Sequence, residues 1–299
     1  MSIRLDLLAL FLVNGLIVGI LYGLVAMSFV LIYKASRVVN FAQGELLLVG
    51  AWVCWASVTQ LGLPFPFAFL VTLVFTGVLG VLIQLVTLRP LIGEPLISMI
   101  MVTVGLSVFF QAILKWIFGV APQSFPQVLT GKRINFLGLE VELAYLGSAG
   151  FALLLLAGFA FFFKYSKLGL GMRATAFNQQ VASSLGVSVR QVFAVSWAIS
   201  AIVSAMAGIV IGLVNGVSAG LAAFGIKVFP AVILGGLDSI LGAVVGGIII
   251  GLLENVAEFL DGQVLHWGNL YTIVPFYVLV IILMIKPYGL FGTRDIERL

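Results

Sequence analysis

Nine apolar stretches, at roughly 7–33, 46–61, 66–88, 96–118, 145–163, 191–214, 223–236, 239–259 and 271–285, alternate with short polar connections along the chain. About 20 apolar residues, rising about 1.5 Å each, carry a helix across a hydrocarbon core of about 30 Å. Backbone amides in lipid must be satisfied within the segment, and the two-residue alternation of a membrane barrel is absent, so the spans are predicted to be helices. The expected fold class is all-α: a polytopic membrane protein of about 8–9 transmembrane helices, organised as a single transmembrane domain over 1–299. The first stretch is too long for a signal-peptide core and no small-residue cleavage site follows it, so it is expected to be retained.

Charge placement sharpens the count. The basic residues fall in a few connections: Lys34 and Arg37; Arg89; Lys164, Lys167, Arg173 and Arg190; and Lys286, Arg294 and Arg298. Positively charged loops stay in the cytoplasm. Arg190 and Lys286 share that side only if an even number of crossings separates them, so the apolar run 223–259 must break at Leu234-Gly235-Gly236-Leu237-Asp238-Ser239. Nine crossings result, with the N-terminus outside and the C-terminus inside. The piece 223–236 is barely long enough and is expected to be interrupted or partly re-entrant, which leaves eight crossings as the alternative. The outer loop 119–144 carries Gly and Pro around alternating residues, a hairpin pattern.

Composition excludes most other classes. The chain is 62% hydrophobic and 9% charged, where soluble domains carry about 25% charged residues. Membrane lipid is therefore an obligate partner. The net charge of +4 is accounted for by the inner loops, so nucleic acid is not a partner. The single Cys54 cannot form an internal disulfide, and the single His266 has no Cys or His beside it, so no metal is expected. There is no phosphate-binding Gly-rich loop followed by Lys, no zinc pattern and no nucleophile elbow. No enzyme activity and no cofactor are expected, and any ATP must be bound by partner subunits.

Polar residues inside the spans are few. Glu254, Asn255 and Glu258 sit near the outer end of a span, where water or a substrate could meet them; Asn14 and Gln84 are candidate interhelical hydrogen-bond partners. No carboxylate relay crosses the membrane, which weighs against proton coupling. Gly15, Gly19 and Gly23, and Gly208, Gly212, Gly216 and Gly220, are spaced by four, so each series is expected to line one helix face and allow close packing.

The inner loop 164–190 carries most information. Ala174, Phe177, Val181 and Leu185 fall on one face of a helix predicted over 172–185, and Gly186 is placed to end it. Surface helices are rich in Lys and Arg, whereas this polar face offers Asn178, Gln179, Gln180 and Ser184, so a protein partner is favoured over the membrane surface.

In this loop Arg173-Ala174, Asn178, Ala182 and Leu185-Gly186 resemble the coupling segment of permeases of the branched-chain amino-acid ABC importer family, in its LivH-like branch. Three further stretches agree. Gly23 to Ala26 and Asn40-Phe41-Ala42-Gln43-Gly44-Glu45 resemble the opening signature, with Gln43 where many members have His. Phe229 to Ser239, followed by Gly242-Ala243, resembles the Gly-Gly turn, with Asp238 where Gly is common. Lys286 to Gly292 resembles the terminal Arg-Pro-Thr-Gly-Leu-Phe-Gly.

The resemblance implies a permease subunit of an ATP-driven importer of branched-chain or other neutral amino acids, with amides and urea as alternatives, in the bacterial or archaeal cytoplasmic (inner) membrane. The implied partners are a second related, LivM-like permease, two ATPases (LivG-like and LivF-like) and an extracytoplasmic solute-binding protein. Arg173, Ala174, Phe177, Asn178, Ala182, Leu185 and Gly186 are the expected ATPase-coupling interface, on a rigid helix pivoting at Gly169, Gly171 and Gly186. Asn40, Gln43, Glu45, Gly235 and Gly236 are candidates for the pore or its gate, the alternative for Asn40 to Glu45 being a loop cap solvated at the interface. An ATPase-independent transporter or channel is the rival class, and a membrane scaffold ranks last.

Overall fold

The computed structural model describes residues 5–91, 94–126, 133–136 and 139–293. Each predicted apolar stretch is helical: α1 (Leu5–Ser36), α2 (Gln43–Thr59), α3 (Phe65–Leu82), α4 (Leu96–Phe118), α5 (Leu143–Tyr165), α8 (Val189–Asn215), the pair α9 (Ala223–Lys227) and α10 (Phe229–Gly235), α11 (Ile240–Leu260) and α12 (Leu270–Ile285). Two short helices, α6 (Lys167–Phe177) and α7 (Gln179–Ser184), occupy the loop 164–190. Among the described residues, six helices are long and apolar enough to cross a membrane, and the apolar stretches Ala219–Gly235 and Leu270–Ile285 are shorter. The protein is an all-α, multi-pass membrane protein. A small antiparallel hairpin, β1 (Arg133–Phe136) and β2 (Leu139–Glu142), realises the pattern read in 119–144, with Arg133 opposite Glu142 and Phe136 opposite Leu139.

The chain folds into two compact units, each assembled from separated stretches of sequence: residues 1–30, 129–153 and 227–299 in the first, and 31–128 and 154–226 in the second. In the first unit α1 packs on α11 through glycines. A methyl group added to Gly19 would sit 2.7 Å from the Ile248 Cα, and one on Gly23 would sit 3.2 Å from the Val244 Cα. Gly247 faces Gly23, and Gly251 faces Gly19, in return. Backbones that close gain dispersion contacts that no bulkier pair permits. The series Gly15, Gly19 and Gly23 thus lines one face, as its spacing predicted.

The turn after α11 rests on a residue the sequence did not single out. Asp261 is buried, and its carboxylate accepts the N–H groups of Trp267 at 2.7 Å, Gly268 at 3.0 Å and Leu270 at 3.1 Å. His266 and Asn269 take left-handed backbone within that turn, so the single His is a turn residue. Glu254 receives the hydroxyl of buried Tyr22 at 2.7 Å, and Asn255 bonds back to the Gly251 carbonyl of its own helix at 3.0 Å. Water or a substrate is what their position along the span suggests for these two side chains; both find partners inside the chain.

In the second unit, α8 is flanked by α2 and α3. Gly50 abuts Ala205, Gly80 abuts the Trp197 carbonyl and Gly208 abuts the Leu47 carbonyl, so small residues again set the helix spacing. The second glycine series departs from its expectation. Only Gly208 and Gly212 lie on α8. Gly216 ends the helix at φ +77 and Gly220 lies in the following 3-10 turn, so four-residue spacing does not place all four on one face. The span beginning with α3 runs on through a π-helical turn, Ile83–Leu88, that carries Gln84.

Candidate functional site

The loop 164–190 is two helices, not the single rigid one predicted. Apolar periodicity continues through 178, but Asn178 adopts extended backbone (φ −157, ψ 115), and its Oδ1 accepts the N–H groups of Gln180 at 2.9 Å and Val181 at 3.0 Å. Asparagine is among the strongest N-caps because its short side chain satisfies donors left open at a helix start. Ser166 and Ser188 do the same for α6 and α8, accepting from Gly169 and Gln191. The loop is thus punctuated at 166, 178 and 188.

Of the predicted interface residues, Phe177 and Leu185 point outward, being 93% and 77% exposed, and Val181 beside them is also exposed. Asn178 and Gly186 are exposed, and Ala174 is half-buried. Two others face inward. Ala182 is buried, together with Met172 and Thr175, which anchor the loop. Arg173 turns back on α5: its Nη1 donates to the Phe163 carbonyl, its Nη2 to the Lys164 carbonyl at 3.2 Å, and its guanidinium lies 5.4 Å from the Phe163 ring centroid. The last carbonyls of a helix lack intrahelical donors and carry partial negative charge, so a cation there closes the helix end. The expected pivots change too. Gly169 lies within α6 against the Phe163 backbone, where no Cβ fits, whereas Gly186, at φ +83, has open space around it. Gly171, within α6, is in ordinary contact range of Val192 and Val187, and the chain leaves helical geometry at Asn178 and turns at Gly186.

Asn40, Gln43 and Glu45 meet in one place at the start of α2. Asn40 and Gln43 are fully buried, so the interfacial solvation considered for them does not occur. The Asn40 side chain accepts the Ala42 N–H at 3.0 Å and donates to Gln43 Oε1 at 2.8 Å. Gln43 Nε2 donates to the Ser200 hydroxyl at 3.0 Å and to that of Ser204 on α8. Glu45 accepts the Ser107 hydroxyl of α4 at 2.8 Å. Gly44 lets this corner approach the Ala222 carbonyl. Removing the hub orphans its buried partners. Gln43→Leu is expected to destabilise the protein by about 1–3 kcal/mol, the cost of leaving buried polar groups unsatisfied; thermal unfolding of the purified protein in detergent measures it, and an unchanged midpoint would contradict the hub.

Gly235 and Gly236 form a backbone junction in the first unit. Gly235 meets Gly242 across the turn between α10 and α11, and Gly236 has φ +106, where an L side chain is strained. Ser239 caps α11, accepting from Gly242 at 3.0 Å. The chain's last described stretch lies on this turn: Leu290 and Phe291 donate to the carbonyls of Leu234 and Gly235 at 2.8 and 3.1 Å. Asp238 accepts the Thr293 N–H at 3.2 Å and its hydroxyl. The Gly-Gly turn and the terminal motif, separate in the sequence, are one structure. Asp238→Ala is expected to loosen the end of the chain without unfolding the spans, seen as several-fold faster proteolysis after Phe291; an unchanged cleavage rate would count against the clasp.

Residues 11–283 match the family model described as the permease component of the branched-chain amino acid transport system. The chain belongs to this permease family. Curated relatives span nearly the whole length. The chain is 30% identical to the high-affinity branched-chain amino acid transport system permease protein BraD of Pseudomonas aeruginosa, covering 96% of each chain. It is 28% identical to LivH of Salmonella typhimurium over 95% of this chain and 96% of that one. It is 28% identical to a probable LivH of Methanocaldococcus jannaschii over 96% and 94%. The LivH-like resemblance read from the motifs holds across the chain. As a permease component, the protein is a transport subunit and not an enzyme.

Proposed function

We propose that this permease forms part of the membrane pathway of an ATP-driven importer whose substrates are branched-chain or other neutral amino acids, the solutes for which its relatives are named. A second related permease completes the pathway, two ATPases dock on the inner face, and an extracytoplasmic binding protein delivers the solute. The observation that carries the reading is the inner loop. Phe177, Val181 and Leu185 stand exposed on a segment whose other side is anchored by buried Met172, Thr175 and Ala182. Exposed apolar side chains on a braced loop mark a contact with protein or membrane, and the uncharged polar residues Asn178, Gln179, Gln180 and Ser184 beside them favour protein. ATPase movement would be transmitted through α6 and α7, bending at Asn178. Basic loops 164–190 and 286–298 support an inner location for this face, with the N-terminus outside and the C-terminus inside the cytoplasmic membrane.

Asn40, Gln43 and Glu45 act in this reading by holding the start of α2 against α4 and α8, so that the pathway wall moves as a unit; Gly235 and Gly236 keep the α10–α11 turn tight. The test is reconstitution with the ATPases, second permease and binding protein of the same importer. Leucine-stimulated ATP hydrolysis with uptake into vesicles is expected. Uptake by this chain alone, without ATP, would show the ATPase-independent class instead.

A further inference from the structure

The C-terminal ends of α1 and α5 meet in the second unit, where the Lys34 ammonium lies 5.4 Å from the Phe163 ring centroid. The Arg173 guanidinium lies at the same distance from that ring, so one aromatic side chain gathers two cations. Both helices belong to spans, Leu7–Ser36 and Tyr145–Tyr165, and their ends mark the level at which hydrocarbon gives way to headgroups. A cleft of about 320 Å³ opens here, between Lys34 and Arg37 on one side and residues 175–180 of α6 and α7 on the other. Among the described residues lining it, two are cationic and none is acidic; Asn178, Gln179 and Gln180 add uncharged polar groups. Arg37 is exposed and closes α1 at φ +57, its N–H donating to the Tyr33 carbonyl at 2.7 Å. That left-handed backbone is uncommon for a residue other than glycine, and such positions often mark a functional use of the side chain. Gln179 also lines a smaller cavity of about 130 Å³, whose walls include Leu88, Phe193 and Trp197. A cationic mouth and an apolar pocket therefore share a wall residue.

We infer that this cleft binds the headgroup of an anionic phospholipid, its phosphodiester held by Lys34 and Arg37 and its chain-bearing end turned to the apolar pocket. Arginine meets a phosphate with paired N–H donors and lysine meets it as a point charge. Basic pockets between spans at headgroup level hold anionic lipids in this way. A carboxylate on a protein partner would meet the same two cations, but it brings nothing apolar for the neighbouring pocket, and the span ends place the cleft where lipid is already at hand. The bound lipid would brace the end of α1 beside Asn178, where the loop leaves helical geometry. The inference stands independently of the transport reading, and its test measures binding alone.

The whole purified protein in neutral detergent is titrated with phosphatidylglycerol and, separately, with phosphatidylcholine, and bound lipids are counted by native mass spectrometry. Saturable binding of phosphatidylglycerol is expected, about tenfold or more tighter than phosphatidylcholine, because each basic residue at the membrane surface adds to the attraction for anionic lipid. Arg37→Gly is expected to lower that preference several-fold, and Lys34→Gln combined with it to erase most of the remainder. Glycine accepts φ +57 readily, so Arg37→Gly removes the charge and keeps the turn, and it decides alone if the double variant is not monodisperse. Lys167→Gln, at an exposed basic residue outside the cleft, is expected to keep the preference. Equal affinity for the two lipids would overturn the proposal, as would a preference unchanged in monodisperse Arg37→Gly or equally lost in Lys167→Gln. Displacement of the lipid by an equal concentration of inorganic phosphate would mark a free-anion site instead. Weakened ATPase association with unchanged lipid binding in the same variants would assign the cleft to an acidic protein partner and equally overturn it.

Discussion

Gly247→Leu is expected to destabilise the folded protein more than any other single substitution considered for it. Gly247 lies against the backbone of Tyr22 and Gly23, so the added side chain meets main chain, which cannot rotate away. Overpacking a core costs about 1–3 kcal/mol when side chains can still adjust, and separating α1 from α11 also forfeits the contacts of Gly15, Gly19 and Gly251. The expected loss is at the upper end of that range or beyond it. Steric-trap unfolding or SDS titration in detergent measures it. Gly105→Leu and Gly158→Leu are the controls: both glycines have nothing within 4 Å of an added Cβ, and leucine is the better helix former by several tenths of a kcal/mol. A Gly247→Leu protein as stable as these controls would show that the α1–α11 approach is dispensable.

The second large effect concerns communication, not folding. Phe177→Asp combined with Leu185→Asp is expected to leave insertion and thermal stability unchanged, because both side chains are exposed in this chain. It should nevertheless weaken ATPase association roughly 30- to 700-fold, the range for losing contacts worth about 2–4 kcal/mol at the centre of an interface. Co-purification and substrate-stimulated ATP hydrolysis read the effect. Wild-type coupling in the double variant would remove the loop from the ATPase contact. Ala182→Leu is a useful contrast: Ala182 is buried beneath the exposed row, so enlarging it should lower stability and coupling together.

What could be read from the sequence was whatever depends on runs and punctuation. Apolar length located each helix, charge placement required the break at Gly235-Gly236, and Gly-Pro spacing foreshadowed the hairpin. Helical spacing also grouped Phe177, Val181 and Leu185, which stand exposed, although it placed half-buried Ala174 with them. The features missed are those in which one residue answers to a distant one. Apolar spacing runs evenly through Asn178, and only its cap geometry reveals a joint. Arg173 has the composition of an interface cation, yet the open carbonyls at the end of α5 claim it. Gly216 keeps the spacing of a packing glycine but sits where α8 stops. Gln84 has the character of a bond to another helix; instead its carbonyl oxygen is buried on a π-helical turn without a hydrogen-bond partner. The resemblance located these segments without distinguishing their inward from their outward residues.

The glycine seam between α1 and α11 also has a consequence in time. Gly247 is made long after Gly19, and at about 5–20 residues per second roughly 10–45 s of synthesis separates them. Until α11 emerges, α1 presents a flat face of three small residues with no helix to accept it. Lipid cannot reproduce that fit, because acyl chains do not hold a fixed surface. Slowing translation just before α11 is made is therefore expected to raise the yield of degraded α1-containing fragments more than slowing it before α1 is made.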